Sequence, residues 1–542
     1  MTTTMTQTAC QGWWQAQDDG KETDDLAGAL LQVNQPIFLL EDLKVARGGS
    51  LSYAQKAPKD AKALRAFAPA LHPSALGDQE FRQIHGLKYA YVQGAMANGI
   101  ASEELVEATC AAGGLGFFGA AGLDPKRVEK AIDRLQASLG EKPFGFNFIH
   151  SPSEPDLEAA IADLYIKRGI RCVEAAAFLG LTLPLVKYRL AGIHRGADGQ
   201  IVTPNMVFAK ISRVEVASKF LAPAPEKMLA TLVEQGFLTP EQVELAGQVP
   251  VAEDITAEAD SGGHTDNRPA VCLIPTMIAL RDQLQAKYQY ARRPRVGAAG
   301  GFATPYSVCA AFAMGAGFVV TGSVNQSCVE SGSSDIVRGM LAQARQADVA
   351  MAPAADMFEM GVNVQVLKWG TMFPVRAKKL YEIYRRYDSL EAIPAAERAV
   401  LEKDYLRTTL EQEWENTRAF FAQRDPRQNE RADKDPKHKM ALVFRSYLGR
   451  ASRWANSGLE DRKVDFQIWC GPAMGAFNEW AKGSELEKAE NRRAGLVAHN
   501  LMLGAAVLTR VNYLRQQGAV LPEAATQFQP MTKDQISATL GA

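Results

Sequence analysis

Residues 295–301 read Arg-Val-Gly-Ala-Ala-Gly-Gly, and residues 318–323 read Phe-Val-Val-Thr-Gly-Ser. Each is a short apolar, β-prone run that ends in glycine and leads into a helical pattern, as a parallel strand does when it turns into a crossover helix. The same unit recurs upstream. Strands are predicted at 88–93, 114–118, 144–149, 171–176, 206–211 and 249–255, and with 295–298 and 318–321 they make eight. The intervening helices are marked at their ends. Ser102 caps a first turn bearing Glu103 and Glu104, Asp124-Pro125 opens the next helix, and Pro155 another. Eight such units predict the α/β class and a closed (β/α)8 TIM barrel. The competing doubly wound sheet usually has fewer strands and a G-x-G-x-x-G turn after the first, which is absent here.

Around that barrel, residues 1–80 are Gln-, Asp- and Ala-rich and predict a loosely ordered start and a small cap. The barrel is placed at 81–345. Beyond Val329 the strand signal fades, and residues 346–542 predict a mainly helical region packed on the barrel, with segments such as 375–387, 397–418 and 487–516. The chain has 542 residues and 60 Lys+Arg against 61 Asp+Glu, a net charge of -1 that gives no electrostatic reason to expect nucleic acid or an anionic membrane. Seven scattered cysteines fit neither a disulfide framework nor zinc spacing, so no metal is expected and a reducing cytoplasm is the simplest home. The start, MTTTMTQTACQGWWQ, lacks the basic and apolar regions of a signal peptide, and no run reaches about 18 apolar residues. The expectation is a soluble cytoplasmic protein.

In such barrels chemistry sits in the loops after the strands. The loops after strands seven and eight carry Gly300-Gly301 and Gly322-Ser323, where backbone amides can approach a phosphate and a helix start adds partial positive charge. Gln93-Gly94-Ala95-Met96 after strand one could lie flat against a planar ring, although a Met there is also ordinary core. Asn147 at the tip of strand three either meets a flavin edge or is a satisfied loop amide. Lys210 after strand five either stabilises a reduced anionic flavin or snorkels to solvent. After strand six, Gly262-Gly263 present His264 over the mouth, where an imidazole can transfer a proton or hold an oxyanion.

Taken together, QGAMANGIAS, GGLGFFGAAG, FGFNFIHSP, VFAKIS, EADSGGHTDNRP, VGAAGGFATP, VTGSVNQ, APAADMFEMG and QIWCGPAMGAFN resemble the flavin-dependent enoyl reductases of the 2-nitropropane dioxygenase-like group, in particular the PfaD type of polyunsaturated fatty acid and polyketide synthases. The resemblance covers most of the chain after about residue 65. It implies FMN as cofactor, NADPH or NADH as reductant, and enoyl thioesters on acyl carrier domains as substrate, with a homodimer left open. By resemblance, Gly300, Gly301, Gly322 and Ser323 surround the FMN phosphate, Gln93, Asn147 and Lys210 lie near the ring, and His264 matches a histidine of related reductases. Ala95 stands where related monooxygenases often have Pro, so their oxygen chemistry is not carried over. A nitronate-type oxidase and a silent docking barrel are the other readings. A basic run of Lys437, Lys439, Arg445, Arg450 and Arg453 is a candidate carrier-docking surface, or a solvated helix face.

Overall fold

In the computed structural model, which describes residues 12–17, 20–42, 44–152 and 154–540, eight parallel strands close into a barrel. They are Tyr91–Gln93, Leu115–Phe118, Phe144–Ile149, Cys172–Ala176, Met206–Ile211, Asp254–Glu258, Arg295–Ala299 and Val319–Thr321, paired in sequence order, with the last lying beside the first. Six match the predicted runs to within a residue, and the first, predicted at 88–93, begins three residues late at Tyr91. The sixth begins late, at Asp254 instead of Val249. Pro250 has no N–H to give a ladder, and pairing starts where Asp254 meets Arg295 in register.

The barrel interior is filled by rings. Phe81, on the helix Gln79–Ile84 just before the first strand, stacks on Phe318 with centroids 4.4 Å apart. Phe208 meets Phe318 at 5.7 Å and Phe117 at 5.1 Å. Gly297 makes room for this packing, because a Cβ there would lie 2.3 Å from the Phe318 ring. It therefore belongs to the core of its strand and not to the loop beyond. Beneath the rings, Asp254 accepts from Arg295 Nε at 2.7 Å, from Arg295 Nη2 at 3.0 Å and from His85 Nε2 at 3.0 Å, all buried.

Two regions carry more β structure than the sequence predicts. Residues 1–11 of the expected loose start lie outside the described residues, but the segment that follows is ordered. Strands Gly12–Gln15, Lys21–Thr23, Ile37–Leu40, Val45–Arg47, Ser50–Ser52 and Lys62–Ala68 form a six-stranded antiparallel sheet. Strands this short, broken by charged and glycine turns, give no sustained alternation to read. The region past Val329 also contains strands: Val349–Pro353 and Asn363–Leu367 pair with each other, and the second pairs with Gly263–His264 from the barrel's sixth loop.

The remainder of the C-terminal region is helical, and part of it has its own core. Phe358, Phe373, Leu380, Met440, Phe444 and Tyr447 are buried together. The long helix Ala494–Gln516 is apolar enough to cross a membrane by length and composition, yet 78% of its most apolar window is buried inside the protein. It serves as a strut. Arg510 donates to Leu30 O and Gln35 O at 2.6 and 2.7 Å, Gln517 just beyond donates to Phe67 O at 2.7 Å, and the His499 ring bonds Ala112 O at 3.1 Å. The N-terminal sheet is thus tied to the barrel through this helix.

Candidate active site

A cleft opens at the C-terminal end of the barrel strands. Nine residues expected at the site line it: Gly94, Ala95 and Met96 from the first loop, Lys210 from the fifth, Gly262 from the sixth, Gly300 and Gly301 from the seventh, and Gly322 and Ser323 from the eighth.

The backbone explains the glycines. Gly300 has φ +79°, and a Cβ would lie 2.6 Å from the carbonyl carbon of Ala259, so no other residue fits without moving the sixth loop. Gly301 has φ +93° and Gly322 ordinary negative φ, and a Cβ at either would meet nothing within 4 Å. The two loops therefore leave open space over bare backbone. Among the described residues, the amide N–H groups of Gly300, Gly301 and Gly322 meet no protein acceptor. Such a cradle suits an anionic headgroup.

The floor carries a charge cluster that sequence reading missed in part. Lys210 Nζ lies 3.2 Å from Glu258 Oε1 and 4.0 Å from Glu174 Oε2. Burial works against its charge, but the two carboxylates win and hold its pKa above the usual lysine value. Lys210 is thus a compensated cation, neither free nor snorkelling. Glu174 is buried, and its Oε2 accepts from the Ala95 amide at 2.8 Å, which fixes the loop after strand one. Burial pushes its carboxyl up and Glu258 adds to that, against the pull of Lys210 and the Ala95 amide.

Four expected residues stand outside the cleft wall. Gln93 is buried; its amide nitrogen donates to Gly94 O and Phe117 O, and its Oε1 has no partner among the described residues. Asn147 is buried, and its Nδ2 donates to Glu174 O at 3.2 Å. Gly263 and His264 form the edge of the small antiparallel sheet, with His264 opposite Val364. His264 stays at the same mouth, close enough to feel the charges of Lys210 and Glu258. Its Nε2–H donates to Asp356 Oδ2 at 3.0 Å. Burial disfavours the charged ring, but Asp356 and Glu258 outweigh that, and Lys210, and lift the imidazole pKa above its ordinary value.

The C-terminal region completes the wall with Trp469, Gly471 and Ala473. Gly471 N–H donates to Ser323 Oγ at 3.1 Å, and a Cβ at Gly262 would lie 2.8 Å from Cys470 N, so this segment lies directly on the sixth and eighth loops. These residues belong to the QIWCGPAMG motif, whose place in the site only the fold reveals.

The basic run proposed for docking is largely committed inside the protein. Lys437 bonds the carbonyls of Tyr384 and Tyr387, Lys439 pairs with Glu391 at 3.1 Å, Arg445 donates to Ala355 O at 2.8 Å, and Arg450 pairs with Glu413 at 2.5 Å. Only Arg453 of the five lacks an ion pair among the described residues.

Residues 79–381 match the nitronate monooxygenase model, and residues 387–466 match the inserted helical domain of [acyl-carrier-protein] S-malonyltransferase. The chain belongs to the nitronate monooxygenase family, a family of oxidoreductases. It is similar to a polyunsaturated fatty acid synthase subunit of Thraustochytrium sp., 48% identical over 447 residues, 81% of this chain and 30% of that protein. It is also 47% identical over 435 residues to polyketide biosynthesis protein PksE of Bacillus subtilis, 80% of this chain and 56% of that one. It therefore spans only a part of these relatives. The enoyl reductase domain of MlnA, from the macrolactin biosynthesis cluster of Bacillus amyloliquefaciens, superposes with a TM-score of 0.77 at 39% identity, covering 82% of this chain and 98% of that domain.

Proposed function

We propose that this protein is an FMN-dependent enoyl reductase that uses NADPH, or NADH, to reduce enoyl thioesters presented by acyl carrier domains of a multienzyme synthase. The observation that carries this is the cleft itself: glycines of the seventh and eighth loops line the same space as Lys210 and the Gly94–Met96 segment. Its likeness to an enoyl reductase domain, to a fatty acid synthase subunit and to a polyketide biosynthesis protein supports the substrate class. The residues fit a flavin mononucleotide. Gly300, Gly301, Gly322 and Ser323 would hold its phosphate, and Gly94, Ala95 and Met96 would flank its ring. When bound, FMN supplies the hydride that the protein cannot.

The chain's own residues do the rest. Glu174 holds the first loop through the Ala95 amide. Lys210, fixed between two carboxylates, sets the potential around the ring. Ser323 and Gly471 join the eighth loop to the C-terminal segment of the wall. His264 delivers the proton to Cα or bonds the thioester oxygen as charge develops there. Replacing His264 with Ala should slow oxidation of the reduced enzyme by an enoyl thioester about 100-fold while FMN stays bound. Unchanged turnover would remove His264 from the mechanism.

The family model itself favours a second reading, oxidation of a nitronate by oxygen on the same barrel. Anaerobic mixing separates the two, because only a reductase passes electrons to an enoyl thioester with oxygen excluded.

A further inference from the structure

His264 and Asp356 are 92 positions apart, yet a single sheet brings them together. His264 pairs in register with Val364 on the strand Asn363–Leu367, and Asp356 lies on the turn that enters that strand from Val349–Pro353. The other side of the turn is fastened to the helical region. Ala355 O accepts from Arg445 Nε at 2.8 Å, and Glu359 lies 3.4 Å from both Arg445 and His438. Phe358, between them, is buried against Tyr381, Tyr384 and Phe444. The carboxylate that meets the histidine is therefore placed by the long helix Pro436–Ser457, which belongs to a separate core from the barrel.

From this geometry we infer that Asp356 is the positioning residue for His264: it fixes Nε2 as the protonated, engaged nitrogen and leaves Nδ1 as the atom that delivers the proton. The inference rests on the reading of His264 as proton donor. A carboxylate can only accept, so Nε2 must carry hydrogen, and among the described residues Nδ1 has no hydrogen-bond partner. Once hydride has reached Cβ, the proton leaves Nδ1 and the enolate electron pair forms the new Cα–H bond. The N–H bonding pair stays on Nδ1, and the now neutral ring keeps Nε2–H on Asp356. Second partners of this kind commonly orient reactive imidazoles. The charged groups facing His264 are Asp356 and Glu258, which favour the imidazolium, and Lys210, which opposes it; Arg445 faces Asp356 from the helix.

The test is a pH titration of the histidine ring resonances in flavin-loaded, 15N-histidine-labelled full-length protein, with Asp356→Asn and Arg445→Met compared with the parent. His264→Gln assigns the signal. Asp356→Asn should move the His264 midpoint to lower pH, and Asp356→Glu should restore it. In parallel, the pH at which enoyl reduction falls should move down by the same amount, with turnover at pH 8 lowered about tenfold. Arg445→Met should give a shift of the same sign and smaller size. If Asp356→Asn lowers the soluble yield, Asp356→Ser makes the same comparison. An unmoved midpoint in the Asp356 variants would overturn the inference. Full activity in His264→Gln would instead overturn the proton-donor reading, leaving the titration result to stand or fall by itself.

Discussion

Lys210 Nζ lies 3.2 Å from Glu258 Oε1 inside the cleft wall, so the cation at the floor is held by a carboxylate that faces the same space. With Glu174 4.0 Å away on its other side, Lys210 offers a bound ring less positive charge than an unpaired lysine would. Glu258→Gln removes one compensating charge and should raise the midpoint potential of bound flavin by about 20 mV, the two-electron equivalent of roughly 1 kcal/mol. Lys210→Met should lower it. Spectroelectrochemical titration checks both, and a fall in the Glu258→Gln variant would contradict the assignment.

The glycine cradle makes a cleaner test of cofactor binding. Gly322 has an ordinary negative φ, room for a side chain, and the cap position of the short helix Ser323–Gln326, where Asp is favoured. Gly322→Asp should therefore fold with the parent's melting behaviour in the absence of flavin, yet lose the flavin, because a carboxylate now faces the anionic headgroup. Retention of stoichiometric flavin would show that the phosphate lies elsewhere.

At the closed end of the barrel, Asp254 is buried between Arg295 and His85. Burial opposes its charge, but the Arg295 guanidinium and the hydrogen bond from the His85 ring hold its pKa far below the usual aspartate value. Its folded pKa is depressed, so its contribution is fully present above the unfolded value near 3.8 and is lost as pH falls below that. Asp254→Asn should cost about 3 kcal/mol by denaturant unfolding at neutral pH, since Arg295 is left partly uncompensated. The loss should shrink as the parent is acidified. A variant equal to the parent at neutral pH would contradict this.

In the helical region, Glu413 is fully buried, and Arg450 and Ser446 bond the same oxygen at 2.5 and 2.7 Å. Arg450→Glu should lower stability by about 3 kcal/mol, so a loss of carrier binding in that variant would say nothing about docking. Arg453 is exposed and without an ion pair among the described residues, so Arg453→Glu should leave the melting temperature unchanged. Carrier binding to it, followed by titration calorimetry, is the informative charge-reversal measurement.

The barrel was readable because each unit is local: apolar run, glycine turn, capped helix. The glycine turns after strands seven and eight are equally local, and Gly300, Gly301, Gly322 and Ser323 all line the cleft. What escaped reading is non-local. Asp356 and Trp469 reach the mouth through strand pairings between residues far apart in sequence, from Val364 back to His264 and from Val366 to Trp469. Glu174 sits inside a strand expected only as core, and its role appears once Lys210 is opposite it. At the third strand tip, Asn147 donates to the neighbouring strand's carbonyl at Glu174, another contact that only the barrel's closure reveals.

That the cleft holds a flavin which passes electrons to an enoyl thioester is tested most directly by anaerobic absorbance titration of the purified protein. The expected result is a flavin spectrum that NADPH or NADH bleaches and that returns when an enoyl thioester is added with oxygen excluded. A protein that stays colourless after incubation with FMN, or whose colour returns only on admitting oxygen, would contradict it.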